Sequence, residues 1–250
     1  MSRILAVSTC HLEGWKKYGR RMVETWVMNW PVPLAFYGEG FAPADEDFIE
    51  YMPDLNSIAW LQEFKRKHPY KPKGAYNYRF DAARFAHKVA AVLEANESRS
   101  LDYLIWVDAD TTTHTPVPVE FIYGLLPEGD EYIAWLDRKG KYPECGFFIL
   151  NCRHPRHAEF IAALRSAYVT GSLFKMAEWH DSYVIQQLVE GMGLKTRSLS
   201  GKAGFNTSHP FINGPLGAYM DHMKGPRKQA GRSSVRDLKV ERTETYWSKQ

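Results

Sequence analysis

The chain has 250 residues, of which 44% are hydrophobic and 24% charged, and its formal net charge is +3. This composition is that of a globular protein able to bury a core, and the charge is too small to indicate nucleic-acid binding by itself. Cys10, Cys145 and Cys152 have no paired spacing, which argues against a disulfide framework or a zinc ribbon. The N-terminal apolar stretch is too short for a secretory signal and no run is long enough for a membrane span, so we expect a cytoplasmic protein.

The first half of the chain alternates between stretches typical of strands and stretches typical of helices. Residues 42–75 interrupt this alternation with several prolines, so we expect loops and short helices there. The stretch "YRFDAARFAHKVAAVLEAN" is predicted to form an amphipathic helix, and Phe80 is the first residue of its apolar stripe. In chain order the stretches are "RILAVSTC", "GWKKYGRRMVETWVMNW", "PVPLAFYGEG", "YRFDAARFAHKVAAVLEAN" and "DYLIWVDAD", of which the first, third and fifth are strands.

The second half continues with both kinds of element. Its predicted elements are a short helix "PVEFIYGLL", strands "EYIAWLD" and "CGFFILN", helices "RHAEFIAALRSAYVTG" and "DSYVIQQLVEGMG", and a late strand "LKTRSL". Residues 201–250 show little periodicity and are expected to be mostly loop. Alternating strands and helices predict an α/β sheet, whose ligands bind beyond the C-terminal ends of the strands. Asp108 and Asp110 lie at such an end.

Two chemistries fit this acidic pair. Asp108 and Asp110 are spaced i, i+2 at a strand end, which places two carboxylates within reach of one divalent cation that could bridge a diphosphate. The same stretch also resembles the haloacid-dehalogenase signature D-x-D-x-T, in which the first Asp would be the nucleophile and the second the general acid. A long helix-bearing region precedes the strand and no paired acidic motif follows it, and both features argue against that phosphatase.

Further motifs follow the acidic pair in the order typical of one group of enzymes. They are "PECGFFILN" (143–151), "EWHDSYVIQQL" (178–188) with Asp181, and "HMKGPRK", which sets His222, Gly225 and Lys228 as H-x-x-G-x-x-K. This order resembles that of GT-A-fold glycosyltransferases, and most closely the retaining family of glycogenin and the lipopolysaccharide galactosyltransferases. The chain departs from that family at the two residues after Asp181 and lacks the Pro-Trp that often follows the lysine.

The resemblance implies a fold and a set of site residues. It implies a single α/β domain of the GT-A fold over residues 1–230, with a mixed central sheet flanked by helices, followed by a basic C-terminal tail, 231–250. Asp108, Asp110 and His222 would hold Mn²⁺ or Mg²⁺, since manganese accepts both carboxylate and imidazole. Asp181 and Glu144 would be the catalytic carboxylates on the sugar or acceptor side. Donor binding would fall to Ser8, Thr9, Arg84, Lys88, Asp108, Gly146, Gly225 and Lys228.

The activity implied is metal-dependent transfer of a hexose from a nucleotide sugar, with a UDP-sugar favoured, to a hydroxyl acceptor. Retention of anomeric configuration follows only from the family likeness. A saccharide acceptor is favoured, and modified bases in DNA are the alternative, because basic stretches could follow a phosphate backbone. A rival from another class is a nucleotide-sugar-binding module without transfer activity. The sequence leaves the oligomeric state open.

Overall fold

The computed structural model describes residues 2–42, 50–51, 53–71 and 75–248. The strands are β1 (Ile4–His11), β2 (Leu34–Glu39), β3 (Glu50–Tyr51), β4 (Tyr103–Val107), β5 (Thr111–Thr113), β6 (Glu131–Arg138), β7 (Lys141–Asn151), β8 (Lys195–Ser198) and β9 (Met220–His222). The α-helices are α1 (Leu12–Gly14), α2 (Arg20–Asn29), α3 (Ala59–Lys67), α4 (Ala82–Ser98), α5 (Val119–Leu125), α6 (His157–Val169), α7 (Asp181–Gly191), α8 (Gly201–Phe205), α9 (Pro210–Asn213), α10 (Arg227–Ala230) and α11 (Thr245–Ser248). A π-helical turn covers Trp15–Gly19, and 3-10 turns cover Leu55–Ser57, Tyr78–Phe80, Ser172–Lys175, Pro215–Ala218 and Val235–Asp237.

A seven-stranded sheet forms the centre of the fold, in the order β3-β2-β1-β4-β7-β6-β8. Neighbouring strands are parallel except at β7, which runs antiparallel to both β4 and β6. A separate two-stranded antiparallel ladder joins β5 to β9. The predicted α/β class with a mixed sheet flanked by helices is therefore confirmed.

Alternating residues of the central strands feed two hydrophobic cores, one on each face of the sheet. In β1, Leu5 and Val7 belong to the core that includes α4, α6 and α7, whereas Ala6 belongs to the core that includes α2 and α5. In β4, Trp106 and Val107 divide in the same way. Burial on both faces explains why these strands read as nearly continuous apolar runs.

The helix before β4 begins later than the sequence predicts. Asp81 caps α4 by accepting a hydrogen bond from the Arg84 backbone N–H at 3.2 Å. Phe80 lies before this cap, in a 3-10 turn, and is 42% exposed. Its predicted place on the buried stripe is therefore wrong, because the stripe begins only inside the helix.

The expected loop region after residue 200 is more ordered than its sequence pattern indicates. Its described residues contain β9, four short α-helices and two 3-10 turns, and the segment after Gly231 contacts β9 and the Pro215–Ala218 turn. Asp221 accepts hydrogen bonds from the Ser233 backbone N–H at 2.8 Å and from the Tyr246 hydroxyl at 2.7 Å. Trp247 is buried and donates from Nε1 to the carbonyl of Gly217 at 2.8 Å. The boundary between domain and tail at residue 230 stays a prediction.

Two further expectations meet the structure only in part. Within 42–75, residues 43–49, 52 and 72–74 lie outside the described residues, and the remainder includes the predicted short helices. Among the helices of the described ranges, none has the length and apolar character needed to cross a bilayer.

Candidate active site

A cavity of about 470 Å³ opens where β1, β2 and β4 end, and this volume is within the range of small-molecule sites. Most of the residues predicted for the site line it. They are Thr9, Arg84, Lys88, Asp108, Asp110, Glu144, Gly146, Asp181, His222, Gly225 and Lys228. The cavity thus joins the end of the first strand, the D-x-D pair and the C-terminal motif in one place.

Asp108, Asp110 and His222 form a compact group of possible metal ligands. One ligand atom of each lies within 4.8 Å of the others. Nε2 of His222 is 3.1 Å from Oδ1 of Asp110 and 3.8 Å from Oδ2 of Asp108. The β5–β9 ladder produces this approach, because it pairs Thr111 directly with His222.

The charges in this group stabilise one another. Burial alone would raise the pKa of the Asp110 carboxyl, but the His222 imidazole and the Lys228 ammonium, 2.5 Å from Oδ2, lower that pKa well below its usual range. Burial would likewise lower the pKa of His222, and Asp110 raises it above the usual value. Asp110 is therefore a carboxylate, as a metal ligand must be.

The donor set of this group fits a divalent cation. Two carboxylates and one imidazole are ligands that Mn²⁺ accepts, and Mg²⁺ also binds the carboxylates. Among the described residues, Nδ1 of His222 is buried without a hydrogen-bond partner, and Nε2 faces the two carboxylates. The residues present therefore suit the metal that the motifs indicate.

Gly146 leaves the space that the His222 ring occupies. A Cβ at this position would lie 2.7 Å from Cε1 and 3.0 Å from Nδ1 of His222, closer than packed atoms approach. The Gly146 carbonyl also accepts a hydrogen bond from the Asp108 backbone N–H at 2.9 Å. A glycine is thus required here for close approach between β7 and the ligand group.

Lys88 connects the ligand group to the far side of the cavity. Its Nζ lies 2.8 Å from Oδ1 of Asp108, contacts Oδ2 of Asp181 and donates to the carbonyl of Cys145 at 2.9 Å. The side chain is only 9% exposed, yet the two carboxylates outweigh burial and raise the pKa of the ammonium. Asp181 is the first residue of α7, where the positive end of the helix dipole stabilises a negative charge.

Glu144 lies between two basic side chains. Lys224 Nζ is 2.5 Å and Arg138 Nη1 is 3.8 Å from its Oε2. Burial opposes ionisation, but Lys224 and the other nearby cations lower the pKa of Glu144 to about 2. Glu144 is therefore ionised at neutral pH and can accept hydrogen bonds from a sugar.

The predicted donor residues differ in how directly they face the cavity. Thr9 lines it and donates from Oγ1 to the Tyr37 carbonyl at 2.7 Å, and Arg84 lines it while donating to the Tyr76 hydroxyl at 3.0 Å. Ser8, in contrast, is fully buried and is not among the lining residues. Its contact with the donor stays a prediction.

Several cavity residues were missed by sequence reasoning. Glu39, at the end of β2, lines the cavity. Burial raises the pKa of its carboxyl to about 7, although the hydrogen bond from Thr9 acts to lower this pKa. The strand-end rule that identified Asp108 could have found it. The others include Tyr18, Tyr78, Arg138, Tyr142, His180 and Lys224, for which no local pattern signals a role.

No protein-family model and no curated protein matches the sequence. The chain is similar to solved glycosyltransferase structures. Mouse xyloside xylosyltransferase 1 in its apo form has 12% identity and a TM-score of 0.48 over 80% of this chain and 85% of that one. GlyE of Streptococcus pneumoniae has 12% identity and a TM-score of 0.47 over 79% of this chain, which spans 46% of GlyE. A glycosyltransferase involved in the glycosylation of the major capsid of PBCV-1 has 13% identity and a TM-score of 0.49 over 92% of this chain and 96% of that one.

At identities this low, the likeness concerns the arrangement of the chain. The chemistry has to be judged from the side chains of the cavity.

Proposed function

We propose that the protein is a metal-dependent glycosyltransferase that moves a hexose from a nucleotide sugar, with a UDP-sugar favoured, to a saccharide hydroxyl. One observation carries the proposal: the D-x-D carboxylates and His222 converge within 4.8 Å at a cavity that also presents Lys88 and Lys228. Such a cavity has ligands for a cation and ammonium groups for phosphate oxygens side by side.

The charge distribution suits a diphosphate leaving group. Transfer breaks the bond between the anomeric carbon and a diphosphate oxygen and forms a bond from that carbon to the acceptor oxygen, whose proton passes to a carboxylate of the cavity. A Mn²⁺ or Mg²⁺ ion bound by Asp108, Asp110 and His222 would supply positive charge to the departing diphosphate. Lys228 adds a second positive charge beside Asp110, and Gly225, with φ of +60°, forms the turn between His222 and Lys228.

The sugar end of the donor would lie near Lys88, Asp181 and Glu144. Lys88 bridges Asp108 and Asp181, so one ammonium separates the metal side of the cavity from the sugar side. Asp181 and ionised Glu144 can accept hydrogen bonds from sugar hydroxyls or stabilise a cationic transition state. We assign the nucleoside end to the region of Thr9 and Arg84, at the C-terminal end of β1.

The phosphatase alternative is less well supported by the geometry. An aspartyl nucleophile needs an oxygen open to the phosphate. Oδ1 of Asp108 accepts a hydrogen bond from Trp106 Nε1 at 2.7 Å and faces Lys88 Nζ, while Oδ2 faces His222. These contacts hold Asp108 in place as a ligand or a hydrogen-bond acceptor.

Thermal unfolding with UDP-glucose or UDP-galactose, each with and without manganese, tests the proposal. A ligand that binds only the native state raises the unfolding midpoint by mass action. We expect a manganese-dependent rise that disappears in Asp110→Ala and His222→Ala. Asp130→Ala is the matched control, because Asp130 is an exposed acid paired with Lys195. Activity on p-nitrophenyl phosphate without any response to sugar nucleotides would contradict the proposal.

A further inference from the structure

Three aromatic side chains form one side of the cavity mouth. Tyr78, from the 3-10 turn before α4, Tyr142, from the start of β7, and His180, before α7, line the cavity together. We call them the aromatic wall. The His180 ring centroid is 4.4 Å from that of Tyr142 and 5.5 Å from that of Tyr78, and the two tyrosine hydroxyls are in contact.

The two tyrosines of the aromatic wall leave apolar surface exposed beside the metal-ligand group. Tyr78 is 42% exposed and Tyr142 is partly exposed, whereas His180 behind them is buried. Tyrosine rings combine apolar faces with a polar tip, which suits ligands that are apolar on one face and hydroxylated at the edge. A pyranose ring, with its C–H face and its equatorial hydroxyls, has this character.

The position of the wall along β7 relates it to the proposed reaction. Tyr142, Glu144 and Gly146 belong to the same strand, and all three line the cavity. Gly146 packs against His222 of the metal-ligand group, and Tyr142 is at the other end of this series, with Glu144 between them in the chain. The wall is therefore joined to the metal-ligand group through Glu144.

The charges around the wall are balanced. Glu178 faces His180 Nε2 at 2.9 Å and Arg79 Nη1 at 3.5 Å. Arg138, which stacks over the Tyr142 ring at 4.7 Å, faces Glu144. Both guanidinium groups already have a carboxylate partner, so a polyanion would have to compete with protein carboxylates here. A neutral ligand with hydroxyl groups could bind the same carboxylates and guanidinium groups without that competition.

We propose that the aromatic wall is the acceptor subsite, an inference that rests on the proposed transferase activity. The wall would bind a neutral saccharide, with a pyranose ring stacked on Tyr142 and Tyr78. The hydroxyls of this ring would reach Glu144, which lines the cavity with the two tyrosines. The same arrangement disfavours a nucleic-acid acceptor, because its phosphates would meet this carboxylate.

The test measures saccharide binding by saturation-transfer NMR to the full chain with UDP and manganese. The probes are lactose, maltose and cellobiose, with a DNA duplex oligonucleotide as the competing class. Tyr142→Leu removes the stacking ring, Tyr142→Phe keeps it, and Tyr123→Leu is the matched control, because Tyr123 is an exposed tyrosine on α5 away from the cavity. Thermal unfolding of each variant with UDP and manganese reports whether the fold and donor binding persist.

We expect at least one disaccharide to bind, with affinity about tenfold weaker in Tyr142→Leu and nearly unchanged in Tyr142→Phe and Tyr123→Leu, where tenfold corresponds to ~1.4 kcal/mol. The proposal is overturned if none of the disaccharides binds, if Tyr142→Leu binds like the wild type, or if the oligonucleotide binds in their place. A wild-type chain that responds to UDP and manganese but fails in these ways contradicts the acceptor subsite alone. A chain that does not respond to sugar nucleotides contradicts the transferase proposal.

Discussion

Nε2 of His222 lies 3.1 Å from Oδ1 of Asp110, although the two residues belong to distant parts of the chain. The contact depends on β9, a strand of three residues that pairs with the three residues immediately after Asp110. The C-terminal motif therefore reaches the D-x-D pair through a backbone ladder. Both side chains are buried, so each largely determines the protonation of the other.

The first prediction concerns the His222 imidazole in the metal-free protein. Asp110 is the main group that raises the pKa of His222 against the effect of burial. Replacing Asp110 by Asn removes that charge and leaves the burial, so the pKa of His222 should fall below its wild-type value. NMR titration of the ring protons measures it, with Asp130→Asn as the control. A pKa that does not change would mean that Asp110 and His222 do not form this pair in solution.

The second prediction concerns Gly146. Alanine would place a methyl group 2.7 Å from Cε1 of His222 and force the ring to move. We expect manganese affinity to fall roughly 10- to 100-fold, as when a supporting contact of a metal ligand is lost, with a stability loss of ~1–3 kcal/mol. Isothermal titration and urea unfolding measure the two effects. In the control, Gly124→Ala, the added Cβ meets no atom within 4 Å and manganese binding should be unchanged.

The third prediction concerns Lys88. Lys88→Met leaves the buried carboxylate of Asp181 and the partly exposed carboxylate of Asp108 without their shared cation. We expect a loss of ~3 kcal/mol in the free energy of unfolding, measured in urea. Lys195→Met removes an exposed lysine paired with Asp130 and should have no measurable effect. If Lys88→Met were as stable as the wild type, the ammonium would not be needed to balance these acids.

Much of the sheet and of the ligand group follows from local sequence signals. The apolar run of β4 predicts a strand that is buried on both faces. The two acids directly after this run predict a site at the end of the strand. His222 and Lys228 were found because their motif has a fixed spacing. Their approach to Asp110 confirms that these residues meet, and their roles stay predictions.

Other features leave no local signal. β9 has three residues and pairs with a distant partner, too short for any periodicity to appear. Tyr78, Tyr142 and His180 come from three separate segments, so their joint wall exists only after folding. Tertiary contacts decide both of these features. The late start of α4 has a local cause instead, because the Asp81 cap overrides the apolar residue before it.

The fourth prediction concerns the C-terminal segment. Trp247 is buried and its Nε1 donates to the Gly217 carbonyl, while the neighbouring Tyr246 donates to Asp221 in β9. Trp247→Ala should lower the free energy of unfolding by ~3 kcal/mol through the lost burial and the cavity that remains. Urea unfolding measures it. Val235→Ala, at a 51% exposed position, is the control. An unchanged stability in Trp247→Ala would mean that residues after 231 do not belong to the folded unit.

The fifth prediction concerns the pH dependence of stability through His157. Its Nδ1 faces the Tyr132 hydroxyl at 3.1 Å and its Nε2 faces Asn96 Oδ1 at 2.5 Å. Burial, and then the nearby His154, lower the pKa of His157 from 6.5 to about 4. Below pH 6.5 the unfolded chain binds a proton that the native imidazole does not, so stability falls as the pH is lowered through this window and levels off below pH 4.

His157→Gln removes this titration and keeps one donor and one acceptor at the position. Urea unfolding between pH 7.5 and pH 4.5 compares the two chains, at values chosen to span the titration window. The wild type should lose ~1 kcal/mol per pH unit more than the variant, so their difference in unfolding free energy narrows as the pH falls. A difference that stays constant over this range would mean that the native His157 is protonated as readily as in the unfolded chain, and its burial between Tyr132 and Asn96 would not control its charge.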